Sequence, residues 1–173
     1  MNDLLPGFAI RPYKPSDQPG VRWLHDRTPP AGQPASRPQP WPEALEDIAA
    51  NFLLFLVAVE PVWDGEAIVG MAGLTRAGAP SEMTPLPAFV SSDPQTARLD
   101  YVRVAPERQR RGIGRALTQA AIEWAGQNGY RRVVLETTPE QAAAVGLYTA
   151  MGFSEIGRST IGRWELAWFE LSL

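Results

Sequence analysis

The sequence predicts an α+β fold in which a mixed, mostly antiparallel sheet of about seven strands is flanked by about four helices. First, segments of alternating apolar and polar residues recur along the chain between segments of helical spacing. Second, Trp63-Asp64-Gly65-Glu66 forms a hairpin-type turn between two apolar segments, which indicates antiparallel strands. Third, a length of 173 residues fits one domain with a sizeable core. We therefore predict a single domain over residues 1–173.

Composition excludes several classes of function. The chain has no cysteine and a single histidine, His25, which removes disulfides, thiolate nucleophiles and cysteine- or histidine-rich metal sites. The longest apolar run, residues 52–59, has the length of a strand, far below the roughly twenty residues that cross a membrane. No signal peptide is recognised. These features predict a soluble cytoplasmic protein with no membrane association and no metal.

The first half of the chain contains five predicted elements. Proline at a first helical position and apolar residues at helical spacing define the helices, and alternation defines the strands. Gly70 and Gly73 lie inside a strand and predict a bulge or a close neighbour. His25 is expected at the surface near a helix end, with a catalytic role as the less favoured alternative. The elements are strand 8–13, a helix capped by Ser16 or Asp17 that ends near Arg27, helix 42–52, and strands 53–60 and 67–75.

Two long irregular segments, residues 28–42 and 77–96, interrupt this order. The first has six prolines among its fifteen residues, and proline lacks the N–H donor that a helix or a paired strand requires. The second is rich in proline, serine and alanine, and is expected to lie outside the core. Long loops in a compact domain are usually functional or disordered.

The second half of the chain alternates strands and helices. An apolar stripe with an Asn-Gly stop follows Gly112, and Thr138-Pro139-Glu140-Gln141 has the pattern of a capping box. The predicted elements are strand 99–104, a helix from Gly112 to about Asn128, strand 131–137, a helix that starts with the capping box and runs to Met151, and strands 153–161 and 164–171.

An anion-binding site is predicted between strand 99–104 and the helix that follows it. Residues 98–115 carry six arginines against two acids, a net charge of +4, whereas the whole chain has a net charge of −3. The first turn of a helix leaves backbone N–H groups unpaired and attracts anions. Gly112 and Gly114 would let an anion approach the main chain. A compact basic region in an acidic chain favours a small polyanion over a nucleic acid, which needs a continuous basic surface.

Two familiar phosphate motifs do not fit this site. A dinucleotide-binding motif requires glycine at the position of Leu117, and a P-loop requires Gly-Lys-Ser/Thr, which is absent. The segment Q-R-R-G-I-G at residues 109–114 resembles the Q/R-x-x-G-x-G/A acyl-CoA loop of the GNAT N-acetyltransferase superfamily. Residues 147–153 resemble the family's L-Y-x-x-x-G-F segment at the expected distance. The predicted order β-α-α-β-β-β-α-β-α-β-β is also the family's order, so the resemblance covers nearly the whole chain.

The resemblance implies acetyl-CoA as co-substrate and a sheet that splays between strands 4 and 5. The pyrophosphate would lie on backbone N–H groups at the start of the third helix, with the arginine side chains free to meet the 3′-phosphate. The pantetheine arm would lie along the exposed edge of strand 4, where a backbone N–H would hold the oxyanion. The residues implied in cofactor binding are Val102, Arg103, Val104, Gln109, Arg110, Arg111, Gly112, Ile113, Gly114, Arg115 and Gln141.

The resemblance also implies the catalytic residues. Tyr148 is the expected general acid that protonates the CoA thiolate, with an ordinary core tyrosine as the alternative. Glu136 is the expected general base for the acceptor amine, and partial burial would raise its pKa toward usefulness. The alternative for Glu136 is a salt bridge to an arginine such as Arg131 or Arg103.

The implied function is transfer of an acetyl group from acetyl-CoA to a primary amine by direct attack in a ternary complex. The alternative is a non-catalytic CoA-binding or regulatory protein with the same fold. Some relatives place an acid at the start of strand 4, where this chain has Arg98, so Asp100 is a second candidate base. The acceptor is a small-molecule or peptide amine, and no nucleic-acid partner is expected. Both a monomer and a homodimer are compatible with the sequence.

In the resembled family the two irregular segments lie beside the acceptor. Trp41 is therefore either a specificity residue or a plug at the edge of the core. Met83, Leu86 and Phe89 either line a lid over the acceptor or belong to an ordinary solvent-exposed loop.

Overall fold

The computed structural model describes residues 7–29, 40–79 and 85–173. The strands are β1 (Ala9–Pro12), β2 (Leu54–Val62), β3 (Gly65–Arg76), β4 (Thr96–Val104), β5 (Arg132–Thr137), β6 (Ser154–Ile161) and β7 (Trp164–Ser172), and the helices are α1 (Gln18–Arg27), α2 (Ile48–Asn51), α3 (Ile113–Gln127) and α4 (Ala142–Ala150). The predicted α+β class is confirmed. Assignment of residues 1–173 to a single domain stays a prediction. Within the described ranges no helix is long and apolar enough to cross a membrane.

The seven described strands form one sheet in the order β1-β2-β3-β4-β5-β7-β6. Neighbouring strands are antiparallel, except for β4 and β5, which are parallel. Tight turns join β2 to β3 and β6 to β7, as the sequence predicts. Parallel neighbours require a crossover connection, and α3 supplies it between β4 and β5. The start of α3 therefore lies one short loop after the end of β4.

The sheet opens between β4 and β5, as predicted. Pairing with β5 covers residues 96–98 of β4, whereas pairing with β3 continues on the other side as far as Val104. A register shift against β3 leaves Tyr101 and Val102 opposite one residue, and Tyr101 has a φ of 56°. A bulge of this kind bends a strand and increases its twist. The second half of β4 thus diverges from β5 with that edge exposed.

Alternate residues of the central strands enter two hydrophobic clusters on opposite faces of the sheet. Leu56 and Ala58 of β2 pack in the cluster that contains α3, whereas Val57 and Val59 pack in the cluster that contains α1. The apolar stripe predicted for α3 is buried, and its most buried members are Ile113, Leu117, Ala121 and Ala125. Both faces of β2 are therefore covered by apolar side chains.

The predicted helix over residues 42–52 is wrong. The chain forms a 3-10 turn at Glu43–Leu45 and then the short helix α2. Between them Asp47 has non-helical backbone angles, and its side chain accepts a hydrogen bond from the Ala50 N–H at 3.0 Å. An aspartate that bonds a backbone N–H three residues later starts a new helix instead of continuing the previous one.

The predicted capping box is also wrong. Residues 138–141 form a turn in which the Gln141 N–H donates to the Thr138 carbonyl at 3.0 Å, and α4 begins only at Ala142. Gln141 occupies the N-cap position and makes no side-chain capping bond within the described chain.

Two regions are more buried than predicted. His25, expected at the surface, is 1% exposed, and the Trp41 ring packs edge-on against it with ring centroids 5.3 Å apart. In the irregular segment after β3, Val90 is buried and packs in a cluster with Trp168 of β7. Both cases join segments that are distant in sequence, so local composition does not reveal them.

Both strand glycines have close neighbours, as predicted. A Cβ on Gly70 would lie 2.8 Å from the Cγ2 methyl of Ile113 on α3. A Cβ on Gly73 would lie 2.5 Å from Cε1 of the Phe52 ring. The Phe52 ring itself packs edge-on against Phe55 at 5.0 Å, so it has little room to move.

Gly73→Ala is expected to lower the free energy of unfolding by about 1–3 kcal/mol, because the added methyl group displaces the Phe52 ring. Gly146→Ala in α4 is the matched control, since a Cβ there meets no described atom within 4 Å and alanine favours a helix by up to about 1 kcal/mol. Urea unfolding of both variants measures the difference. Equal stability of the two variants would contradict the close contact at Gly73.

Candidate active site

The helix α3 begins at a glycine in the left-handed conformation. Gly112 is the N-cap residue with a φ of 83°, and the Ala116 N–H donates to its carbonyl at 2.9 Å. The N–H groups of Ile113, Gly114 and Arg115 precede this bond in the first turn and have no partner in the helical ladder. A Cβ built on Gly112 meets no described atom within 4 Å. The helix start therefore offers an anion several N–H donors with open space in front of them.

The arginine loop before α3 is held by an acid on β2. Glu60 accepts hydrogen bonds from Arg108 and Arg111, both at 2.7 Å. The prediction that the arginine side chains are free for a phosphate is therefore wrong for Arg111. Arg110 and Arg115 are exposed, and neither forms an ion pair in the part of the chain that the structure describes. These two guanidinium groups remain for a phosphate.

A cleft of about 420 Å³ follows the opening between β4 and β5. Besides the exposed half of β4 and the end of β5, it is lined by α4 and by the residues after α1. A Cβ on Gly114 would lie 3.7 Å from a methyl group of Val104, so the start of α3 adjoins the cleft, although residues 110–115 do not line it as described. The predicted site residues that line the cleft are Val102, Arg103, Val104, Gln109, Glu136, Gln141 and Tyr148.

Two carboxylates that line this cleft, on different strands, converge on one buried arginine behind them. Arg98 donates to Glu136 Oε1 at 2.7 Å, and its Nε lies 3.1 Å from Asp100 Oδ1. The Thr75 hydroxyl donates to Asp100 at 3.2 Å. Burial raises the pKa of Asp100 to about 6, although the Arg98 cation acts in the opposite direction. A carboxyl group with such a pKa changes its protonation state close to neutral pH.

Tyr148 forms the α4 side of the cleft. Its ring is buried edge-on against Phe153 and tilted against Phe169, with centroid separations of 5.7 and 6.5 Å. Burial raises the pKa of its hydroxyl, and the charge of Glu136 adds to this effect. A tyrosine with a raised pKa keeps its proton at neutral pH and acts as a hydrogen-bond donor. The ring belongs to the core, while the residue still lines the cleft.

The Arg103 side chain fastens the segment after α1 to β4. Its guanidinium donates to the carbonyl oxygens of His25, at 3.3 Å, and of Thr28. Burial lowers the pKa of Arg103 to about 10, so it stays charged at neutral pH. Thr28 and Pro29 line the cleft next to this contact. The sequence predicted a cofactor role for Arg103, and the structure adds this side-chain contact.

The sequence did not reveal the partner of Glu136. Arg131 and Arg103 were the expected salt-bridge partners, whereas Arg98 makes the contact. A usable signal is present, because Arg98 and Asp100 are two residues apart and share one face of a strand. That signal becomes specific only once β4 is known to pair with the strand that carries Glu136.

The side chains proposed from the irregular segments do not line the described cleft. Trp41 packs against His25 and under the Arg22 guanidinium, which lies 4.7 Å from the Trp41 ring centroid, so the core-edge interpretation is favoured. Leu86 packs in the cluster of β7, and the Phe89 ring fills the space beside a glycine of β6. Met83 lies outside the described residues.

A sheet that opens beside a helix N-terminus, with a tyrosine and carboxylates in the opening, is the arrangement that the resemblance in sequence predicts. The family model described as the acetyltransferase (GNAT) family matches residues 19–153. The chain belongs to this family, and the predicted family membership is thereby confirmed.

Two relatives and one solved structure illustrate the similarity. Human N-acetyltransferase 8 is 30% identical over 99 residues, which are 57% of this chain and 39% of that protein. Rat N-acetyltransferase family 8 member 3 is 42% identical over 60 residues, 35% of this chain and 26% of that protein. The matched segments thus span less than half of these relatives. Arabidopsis thaliana NAA60 in complex with acetyl-CoA has a TM-score of 0.72 at 20% identity, with 96% of this chain and 98% of that chain covered.

Arg103→Met is expected to lower the free energy of unfolding by about 2 kcal/mol, because two backbone carbonyls lose a buried charged donor. Arg115→Met is the control, since Arg115 is exposed and lies outside this contact. Urea unfolding compares the two variants, and amide hydrogen exchange at residues 25–29 reports whether the segment opens. Equal losses of stability in both variants would contradict the anchoring role.

Proposed function

We propose that this chain transfers the acetyl group of acetyl-CoA to a primary amine by direct attack within a ternary complex. The opening between β4 and β5 carries the proposal, because it brings a strand edge, two carboxylates and Tyr148 into one cleft. The similarity to human N-acetyltransferase 8, and to a structure that contains acetyl-CoA, supports the same chemistry. The acceptor is a small-molecule or peptide amine, and no metal takes part.

The residues of the site fit a CoA molecule at three places. The N–H groups at the start of α3 and the open space at Gly112 fit the pyrophosphate. The exposed guanidinium groups of Arg110 and Arg115 fit the 3′-phosphate. Residues 102–104 of β4 lie beyond the last described pair with β5, so their edge can receive an amide-rich arm as a further strand would be received.

The proposed reaction forms a bond from the amine nitrogen to the thioester carbonyl carbon and breaks the carbon–sulfur bond, giving an amide and the free thiol. A main-chain N–H on the exposed edge of β4 would hold the carbonyl oxygen as its charge grows, a contact worth about 3 kcal/mol in other enzymes. Glu136, or Asp100 as the second candidate, accepts the proton that the amine loses. The Tyr148 hydroxyl donates a proton to the sulfur, and exchange with solvent restores both groups.

The need for a base depends on the acceptor. An α-amine with a pKa near 7.8 is roughly 14% neutral at pH 7, whereas a lysine amine with a pKa near 10.4 is only about 0.04% neutral. A carboxylate that removes the proton is therefore far more important for a lysine-type amine. Thiol release measured over a panel of amines would identify the acceptor class.

Gly112→Ala is expected to weaken acetyl-CoA binding roughly tenfold or more, because its methyl group enters the space proposed for the pyrophosphate. Gly129→Ala is a closely matched control. Both glycines have a φ of 83°, and a Cβ on either meets no described atom within 4 Å. Both variants therefore carry the same backbone strain of about 1–2 kcal/mol. Isothermal titration with acetyl-CoA compares them, and equal affinities would refute the proposed pyrophosphate position.

Tyr148→Phe is expected to reduce kcat by about 10²–10⁴-fold while leaving the Kd for acetyl-CoA unchanged, because it removes the proposed proton donor and keeps the ring. Tyr130→Phe, on a ring that stacks against Trp124, is the control. Thiol release measures turnover, and full activity of Tyr148→Phe would exclude the role. A wild-type protein that binds acetyl-CoA but releases no thiol with any amine would instead favour the non-catalytic alternative.

A further inference from the structure

The fork between β4 and β5 contains a buried cation flanked by two acids. Arg98 is opposite Val134 in the last described pair between these strands. Asp100 follows two residues later on β4, and Glu136 follows two residues after Val134 on β5. Because side chains alternate along a strand, Arg98 and both acids share one face of the sheet. The Arg98 side chain is 3% exposed, and its guanidinium lies over the Trp168 ring at 5.3 Å from the centroid.

The contacts of Arg98 bridge the point where backbone pairing stops. Its guanidinium donates to Glu136 on β5 at 2.7 Å and lies 3.1 Å from Asp100 on β4. A buried guanidinium is costly to desolvate and is stable only where acids compensate its charge. One cation therefore joins the two strands through their side chains immediately beyond their last backbone pair.

We propose that Arg98 is a positioning residue that holds Asp100 and Glu136 together as one proton-accepting pair for the acceptor amine. This inference rests on the acetyl transfer proposed above and assigns deprotonation to the pair, not to either acid alone. With both acids ionised, the three groups have a net charge of −1, which attracts an ammonium group. A proton then moves from the ammonium nitrogen to one carboxylate oxygen, which leaves a neutral amine and a neutral carboxylic acid.

The oxygen atoms of the pair differ in their partners. Glu136 Oε1 accepts from Arg98, whereas Oε2 of the same carboxylate is buried and accepts no hydrogen bond from the described residues. A buried carboxylate oxygen without a donor is unfavourable, and an ammonium group would supply one. Three other polar groups surround the pair. The Thr75 hydroxyl of β3 donates to Asp100, and Tyr101 of β4 would stabilise the Arg98 cation if its own hydroxyl were ionised. The charge of Glu136 raises the pKa of Tyr148 on α4.

The two neighbours of Asp100 act on its pKa in opposite directions. Burial raises the pKa of Asp100, the Arg98 cation lowers it, and the Glu136 anion raises it. Removing the cation should therefore raise this pKa, and removing the charge of Glu136 should lower it. A carboxylate accepts a proton only when it is ionised, so kcat/KM should fall at low pH. The midpoint of this acid limb of the pH profile should move in the same direction as the pKa of Asp100.

The test is a carbon-13 NMR titration of the Asp100 carboxyl group, assigned with Asp100→Asn, in four proteins. Compared with wild type, Arg98→Met should raise the Asp100 pKa by about one unit or more, Arg98→Lys should leave it close to the wild-type value, and Glu136→Gln should lower it. With one fixed amine, the acid limb of kcat/KM should shift by the same amount in Arg98→Met. The Kd for acetyl-CoA should stay unchanged, since the start of α3 is untouched.

Two results would overturn the proposal. One is an Asp100 titration that is the same in wild type, Arg98→Met and Glu136→Gln, because the acids would then not form a pair. The other is an Arg98→Met protein that loses activity only in proportion to its unfolded fraction and keeps the wild-type acid limb. If Arg98→Met does not fold, the pKa of Asp100 in Glu136→Gln tests the proposal. A pKa below that of wild type supports the pair, and an unchanged pKa overturns it. The titration needs no turnover, so failure of the pair is distinguishable from failure of the proposed acetyl transfer.

Discussion

The early end of backbone pairing between β4 and β5 is the constraint on which the whole site depends. Had the parallel ladder continued past Arg98, the edge of β4 would be occupied and the cleft closed. The bulge at Tyr101 bends β4 while its pairing with β3 continues, so the strand stays anchored as it diverges. The crossover helix α3 starts one short loop after β4. The same topology therefore places a helix N-terminus beside the opening.

Ion pairs between side chains stabilise the region where β4 and β5 make no backbone hydrogen bonds with each other. Arg98 and its two acids contact each other at the fork, and Glu60 holds two arginines of the loop that precedes α3. The two ion-pair groups differ in burial, because the Arg98 side chain is 3% exposed whereas that of Arg111 is 42% exposed. Solvent screens the loop contacts, so they order the loop without adding much stability. The fork contacts are shielded, and there each charge depends strongly on the others.

The elements that the sequence predicts correctly are those set by local patterns. The stripe of α3 and the strand alternation are periodic, and Gly112 is required where the backbone turns left-handed, so these features are visible in a single segment. The predictions are wrong where a local polar contact or a contact with a distant segment determines the structure. Asp47 begins a new helical turn inside a segment of helical spacing, and His25 packs against Trp41, which lies near the end of an irregular segment. Arg98 acquires its role only through a strand pairing that sequence periodicity does not specify.

The two ends of the proposed site differ in the groups that they offer to a ligand, and for this reason the sequence predicts the family more readily than the acceptor. At the start of α3 the donors are main-chain N–H groups, which are the same for any sequence, so the motif needs little more than glycines at fixed positions. At the other end, the wall is the segment after α1, which the Arg103 side chain holds through backbone carbonyls. That segment continues into a proline-rich stretch of the sequence that contains no recognisable short motif. In the proposed reaction, acceptor selectivity would therefore depend on Thr28 and Pro29 and on the charges of Arg98, Asp100 and Glu136, whose positions are set by tertiary contacts.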